Sequence, residues 1–223
     1  MKLIVKVCGL SSEETIDAAI DAGADMVGLV FFPPSPRYVP LDRAARLATR
    51  ARGRAEIVAL SVDMTDGGLA EIVEAVRPDW LQAHGKETPE RVAAIKKRFA
   101  RRVMKAIGVR DATDLDAALA YGGIADALLL DAKAPQGAAR PGGNGVPFDW
   151  TMLDEFDPGM PWLLSGGLAP GNVGSALRVS AAPGVDVSSG VETAPGRKDV
   201  NLIRAFIAAA RRTTLRQSER VPG

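Results

Sequence analysis

Short apolar segments alternate with amphipathic stretches along the whole chain, and this alternation limits the fold more than any other feature. In the first unit, residues 3–7 are apolar except for Lys6, and Ser11 can then cap a helix with Glu14 three residues later. Ile16 and Ile20 follow at helical spacing. Eight such units fill the 223 residues, about 28 residues each. Their apolar segments are residues 3–7, 26–32, 57–62, 80–83, 103–109, 127–130, 162–164 and 185–187.

Strands that alternate with helices predict a parallel sheet, because a helix is the usual connection between parallel strands. Eight units favour a closed (β/α)8 TIM barrel of the α/β class, although such barrels are usually about 250 residues long. An open doubly wound sheet would need fewer units, and its Gly-x-Gly-x-x-Gly turn does not follow the first strand. We therefore expect one domain over residues 1–223, with a long loop at 133–148 and a frayed tail from about residue 213.

Charge and composition narrow the class of partner. Lys and Arg together number 28 and Asp and Glu number 27, so the formal net charge is +1 and no overall field favours nucleic acid or an anionic membrane. The single cysteine suits a reducing compartment. The N-terminus lacks the apolar core of a signal peptide, and no segment approaches 18 uncharged apolar residues. The sequence predicts a cytoplasmic protein that holds any anion at a local site.

Glycine-rich turns follow the seventh and eighth apolar segments. The first turn contains Gly166 and Gly167, and the second contains Ser189 and Gly190. In (β/α)8 barrels these two loops are the usual phosphate site, where backbone N–H groups at helix N-termini face the anion. We therefore expect a phosphate site at these four residues, with the helix after the first turn starting near Pro170.

Cys8 and Asp131 end the first and sixth strands, at the end of the barrel that carries catalysis. A lone cysteine on an apolar strand is most often a packing residue. An aspartate at a strand end is as often a cap for the following turn as a functional group. Lys6 points to the same side as Cys8, so its charge is expected to lower the pKa of the thiol. Four apolar residues precede Asp131, so a partly desolvated carboxyl with a raised pKa is expected.

Arg37 lies in a stiff loop between Pro36 and Tyr38, after the second strand. Most loop arginines are solvated, but a guanidinium held in such a loop can bind a carboxylate through two N–H groups. His84 is the only histidine, so neither a Ser-His-Asp triad nor a histidine metal site can form, and a stabilising role is expected for it. No metal and no cofactor are expected.

Short motifs at these strand ends occur in a fixed order. They are KVCG (6–9), GLVF (28–31), SPRYV (35–39), LQAHG (81–85), LDAK (130–133), GGNG (142–145), FDW (148–150), LSGGL (164–168), GVDVSSGVE (184–192) and GRKD (196–199). Together they cover nearly the whole chain, and the chain resembles the phosphoribosylanthranilate isomerase family of tryptophan biosynthesis. Leu29 and Ala83 depart from the usual residues of these motifs without touching the candidate acid or base.

The resemblance implies an aldose–ketose isomerase that performs an Amadori rearrangement by acid–base catalysis. It implies that Asp131 protonates the furanose oxygen and that Cys8, as thiolate, removes the proton from C2′. The implied binding roles are Arg37 for the anthranilate carboxylate, backbone groups of Gly166, Gly167, Ser189 and Gly190 for the phosphate, and Asp186 for orienting Arg37 or the substrate amine. The expected partner is a phosphorylated small molecule, and the expected assembly is a monomer or homodimer.

Two alternatives remain open. One is a non-catalytic barrel that binds a phosphorylated ligand and would tolerate the loss of Cys8 and Asp131. The other is a different phosphate-binding barrel enzyme, such as a lyase like the tryptophan synthase α chain, which relies on a Glu and Asp pair whose motifs are not found here.

Overall fold

Eight parallel strands close into a barrel in the computed structural model, which describes residues 2–133 and 148–218. Each strand pairs with the next one along the chain, and the eighth pairs with the first. The fold class predicted from the alternation is therefore confirmed. The strands are β1 (Ile4–Cys8), β2 (Met26–Val30), β3 (Glu56–Ser61), β4 (Trp80–Ala83), β5 (Arg102–Val109), β6 (Ala127–Ala132), β7 (Trp162–Leu164) and β8 (Gly184–Val187).

Helices surround the barrel. They are α1 (Glu13–Asp21), α2 (Leu41–Ala51), α3 (Asp66–Val76), α4 (Pro89–Phe99), α5 (Ala112–Leu119), α6 (Val173–Ser180) and α7 (Val200–Ser218), with 3-10 segments at Trp150–Leu153 and Ser189–Val191. Residues 134–147 of the predicted long loop lie outside the described residues. In the described ranges, no helix is both long enough and apolar enough to cross a membrane.

Two features differ from the expected pattern. A two-stranded hairpin of β9 (Glu192–Ala194) and β10 (Arg197–Lys198) follows the barrel, because one short polar segment folds back on itself. Helix α7 also continues to Ser218, so the tail expected from about residue 213 is helical that far. The rest of that tail lies outside the described residues.

Side-chain caps set where several helices begin. Ser12, rather than the predicted Ser11, accepts a hydrogen bond from the Thr15 N–H at the start of α1. Thr88 caps α4, with Pro89 in the first turn, where a missing N–H costs nothing. Each cap satisfies an N–H that the helix leaves without a partner.

Alternate residues of each strand face the helices or the barrel interior. On β1, Val5 and Val7 belong to the layer between sheet and helices, whereas Lys6 and Cys8 point inward. The lower interior is filled by apolar side chains, chiefly Met26, Val58, Trp80, Met104, Leu129 and Leu163. This packed floor confines polar chemistry to the upper end, where the strands finish.

Candidate active site

A cleft opens at the carboxyl ends of the barrel strands, with about 680 Å³ of space that includes open solvent. The predicted site residues that line it are Cys8, Arg37, Asp131, Gly166, Gly167, Asp186 and Ser189. Gly190 does not line the cleft, because it packs against the backbone of Leu168. A Cβ on Gly190 would lie 1.8 Å from the Leu168 carbonyl oxygen. The structure thus brings seven of the eight predicted residues to one cleft.

Cys8 is buried at the end of β1, opposite Gly28 on β2. A Cβ on Gly28 would lie 2.7 Å from the Cys8 Sγ, so the glycine makes room for the thiol. Burial raises the pKa of the Cys8 thiol above its ordinary value, and the nearby charge of Lys6 opposes this rise without cancelling it. The expectation that Lys6 lowers the pKa of Cys8 overall is therefore wrong, because desolvation is the larger effect.

Lys6 is also neutralised by a partner of its own. Its Nζ lies 2.8 Å from Asp186 Oδ1 on the adjacent strand β8, and Ser165 donates to the other carboxylate oxygen at 3.2 Å. Burial disfavours the charge of Lys6, yet Asp186 and Cys8 together raise its pKa. Both oxygens of Asp186 are therefore engaged by Lys6 and Ser165, so this residue does not orient Arg37.

Glu192 orients Arg37 instead. The Arg37 Nε and Nη2 donate to the two carboxylate oxygens of Glu192 at 2.7 and 2.8 Å, and Lys198 Nζ lies 2.8 Å from the same carboxylate. Burial alone would raise the pKa of Glu192, but Arg37 and Lys198 hold it below its ordinary value. Burial, aided by the charge of Arg37, lowers the pKa of Lys198.

Two glycines pack closely against the loop that carries Arg37, one against the Arg37 side chain and one against the backbone of Pro36. Gly9 has a φ of +77°, and a Cβ there would lie 2.7 Å from the Arg37 Cδ. Gly196, in the β9–β10 hairpin, has a φ of +81°, and a Cβ there would lie 2.3 Å from the carbonyl oxygen of Pro36. The hairpin and the loop after β1 therefore clamp the arginine loop over the cleft.

Asp131 lies at the end of β6 and is buried beside His84. The His84 Nε2 lies 3.4 Å from Asp131 Oδ2, and the His84 Nδ1 lies 2.8 Å from Gln82 Nε2. The sequence places both Gln82 and His84 near the rim but gives no sign that they contact Asp131.

The turn after β7 is built for close approach of backbone. Gly166 has a φ of +87°, and a Cβ there would lie 2.3 Å from the Ala132 N. Asn172 braces the turn, since its side chain accepts from the Ala169 N–H at 2.7 Å and donates to the Gly167 carbonyl at 2.9 Å. Helix α6 begins at Val173 rather than near residue 170, so these glycines are further from the helix N-terminus than predicted.

Among residues 2–133 and 148–218, no group of three His, Cys, Asp or Glu side chains is placed to hold a metal ion. The functional candidates that sequence reasoning missed are Gln82, Ser165, Glu192 and Lys198. The sequence carried a signal for two of them. Gln82 is two residues from His84 at a strand end, so the two side chains share a side. Glu192 is the kind of carboxylate that Arg37 requires if the arginine is buried.

An inward-facing carboxyl, a buried thiol and glycine turns at the mouth of an eight-stranded parallel barrel define the class of (β/α)8-barrel enzymes. The model of the N-(5′-phosphoribosyl)anthranilate (PRA) isomerase family matches residues 5–209. The chain belongs to this isomerase family.

Relatives and solved structures agree with that membership. An N-(5′-phosphoribosyl)anthranilate isomerase of Rhodopseudomonas palustris (strain BisA53) is 60% identical over 96% of this chain and 98% of its own length. The phosphoribosyl anthranilate isomerase of Thermotoga maritima superposes with a TM-score of 0.84 at 36% identity, over 93% of this chain and 98% of that one. A structure of such an isomerase in complex with reduced 1-(o-carboxyphenylamino)-1-deoxyribulose 5-phosphate has a TM-score of 0.80 at 34% identity, with the same coverage.

Proposed function

We propose that this chain converts N-(5′-phosphoribosyl)anthranilate to 1-(2-carboxyphenylamino)-1-deoxyribulose 5-phosphate in tryptophan biosynthesis, with Asp131 as acid and Cys8 as base. The observation that carries the assignment of residues is the order of strands around the cleft. The glycine turns after β7 and β8 lie between the end of β6, which carries Asp131, and the end of β1, which carries Cys8. A sugar phosphate anchored by those turns would have an acid on one side and a thiol on the other.

The reaction then needs four proton transfers to or from the substrate. Asp131 donates a proton to the furanose oxygen while the C1′–O bond breaks, and the nitrogen lone pair completes a protonated Schiff base. Because its pKa is raised, Cys8 must first lose its thiol proton. The thiolate then removes the proton from C2′, and the electrons of that bond form a neutral enolamine. Loss of the proton on the C2′ hydroxyl and addition of a proton at C1′ give the ketose.

The binding roles follow from which atoms remain available. We assign the phosphate to backbone N–H groups of the turns that contain Gly166, Gly167 and Ser189, with Gly190 packing the second turn in place. Arg37 presents Nη1, the guanidinium nitrogen outside its pair with Glu192, to the anthranilate carboxylate.

Single substitutions at the acid and base test this proposal. Cys8→Ala and Asp131→Asn should each lower kcat by about 10²–10⁴, because each removes one proton-transfer group while the binding turns remain. Steady-state kinetics measures the loss, and calorimetric titration with reduced 1-(o-carboxyphenylamino)-1-deoxyribulose 5-phosphate checks that binding persists. Asp116→Asn, at an exposed position on α5, is the matched control.

Wild-type turnover in either variant would remove that residue from the mechanism. Ligand binding without turnover in the unmodified chain would favour the non-catalytic barrel.

A further inference from the structure

A chain of polar side chains leads from Asp131 away from the cleft. Gln82 and His84 lie two residues apart at the end of β4, and both side chains turn toward the interior side of the barrel. His84 lies between the other two, with Nε2 at 3.4 Å from Asp131 Oδ2 and Nδ1 at 2.8 Å from Gln82 Nε2. Gln82 is only 1% exposed, so water has little access to this end of the chain of contacts.

The amide of Gln82 decides which nitrogen of His84 carries the proton. With the amide nitrogen facing the ring, Nδ1 accepts and the single ring proton is on Nε2, so the tautomer follows from the orientation of the Gln82 amide. That proton faces Asp131. The 3.4 Å separation is longer than an ordinary N–H···O bond, but contacts of catalytic groups often shorten when substrate binds.

The amide oxygen of Gln82 supports a functional role for the contact between Gln82 and His84. Gln82 Oε1 is buried and has no hydrogen-bond partner among the described residues. A buried amide oxygen without a partner is unfavourable, so an apolar residue would be better here if packing were the only requirement. Among the described residues, the ring of His84 is the one hydrogen-bond partner of the Gln82 side chain.

We propose that Gln82 and His84 are positioning residues for the acid, and that they place its proton on Asp131 Oδ1. With a proton on Nε2, the ring can only donate to Oδ2, so Oδ2 must be the carbonyl oxygen of the carboxylic acid. The acidic proton is then on Oδ1. After it moves to the furanose oxygen, the same Nε2–H stabilises the carboxylate that remains. This inference rests on the proposed function, since it assumes that Asp131 is the acid.

The loop that carries His84 is fixed from behind. Lys105 Nζ donates to the carbonyl oxygens of Ala83 and Gly85, on either side of His84, at 3.3 and 2.7 Å. It also pairs with Glu87 at 2.9 Å, and both charged groups are buried. In the described structure, Asp131 is the titratable group that contacts the ring, while Lys105 and Glu87 hold the backbone around it.

Kinetics of variants at His84 tests the positioning role. His84→Asn removes the donor that faces Asp131, so kcat for N-(5′-phosphoribosyl)anthranilate should fall by about 10- to 100-fold, with KM changed less than about twofold. His84→Gln keeps an amide N–H near the position of Nε2 and should recover part of the loss. Tyr121→Phe is the matched control, because it removes a hydrogen bond to the Glu87 carbonyl of the same loop without touching the ring.

Nitrogen NMR gives a readout that a merely structural role would not move. The chain has one histidine, so ¹⁵N-histidine labelling reports only His84. We expect the Nε2–H tautomer in the unmodified chain. Gln82→Glu places an acceptor on Nδ1 and should move the proton there, with a loss of kcat similar to that of His84→Asn.

Two results would overturn the inference: an Nδ1–H tautomer in the unmodified chain, or His84→Asn at the wild-type kcat while Asp131→Asn is slow. In the second case the proposed acid would stand without its positioning residues. Full activity of Asp131→Asn would instead overturn the proposed function itself.

Discussion

The interior of this barrel places a thiol, an ammonium and a carboxylate on two adjacent strands. Cys8 and Lys6 follow from the sequence, since alternate residues of a strand share a side. The direction of the Cys8 pKa shift does not, because it depends on how burial compares with the charge of Lys6 once Asp186 has partly neutralised that charge. The sequence predicts that Lys6 and Cys8 lie on the same side of β1. The direction of the Cys8 pKa shift depends on desolvation and charge together, and these can be compared only in the packed structure.

Alkylation of the single cysteine tests the Cys8 shift. The iodoacetamide reaction rate should rise with pH to a midpoint above that of a free thiol, since burial raises the pKa of Cys8. Lys6→Met should move the midpoint higher still, because the variant loses the charge that opposes the shift and leaves Asp186 unpaired. Cys8→Ala serves as the blank. A midpoint below that of a free thiol, or one that Lys6→Met lowers, would contradict this account.

Elements with strong local signals were predicted well. All eight strands overlap the predicted apolar segments. The β9–β10 hairpin was missed because its strands are three and two residues long and carry no apolar alternation. The pairing of Arg37 with Glu192 was missed for a different reason: 155 residues separate them, and only the fold brings them together.

We expect Gly196 of the β9–β10 hairpin to affect substrate affinity, because it packs against the loop that carries Arg37. Gly196→Ala places a Cβ against the carbonyl of Pro36, so the loop that carries Arg37 must shift, and KM should rise by about tenfold. Kinetics measures this change. Gly53→Ala is the matched control, because Gly53 also has a positive φ of +74° but nothing lies within 4 Å of its added Cβ.

Both glycine variants should lose about 1–2 kcal/mol of unfolding free energy from the left-handed backbone alone. An equal rise in KM for both variants would show that the hairpin does not hold the arginine loop.

At the scale of the whole molecule, closure of the barrel was predictable and its internal ion pairs were not. Eight strand–helix units imply eight strands in chain order, and the pairing of β8 with β1 follows from closure. That Lys6 would face Asp186 across this seam depends on register, which the sequence does not specify. The same holds for the contact between His84, which follows β4, and Asp131 on β6, since β5 lies between those two strands.

The ion pair at the seam should be costly to break from one side. Asp186→Asn leaves Lys6 buried without a full counter-charge and should lower the unfolding free energy by about 3–5 kcal/mol. The double variant Lys6→Met with Asp186→Leu removes both charges and should recover most of that loss. Urea unfolding measures all three chains. A double variant as unstable as the single one would mean that packing, rather than the unpaired charge, sets the cost.

The pair of Lys6 and Asp186 also joins residues 180 positions apart in the chain. During synthesis on a ribosome, Lys6 is therefore made 180 residues before the carboxylate that neutralises it. A nascent chain that ends before Asp186 therefore keeps an ammonium group that favours water over the barrel interior. Strand β8 both closes the barrel and supplies Asp186, the counter-charge of Lys6 beside the thiol. Chains that end before β8 therefore lack the closed barrel and the ion pair next to Cys8.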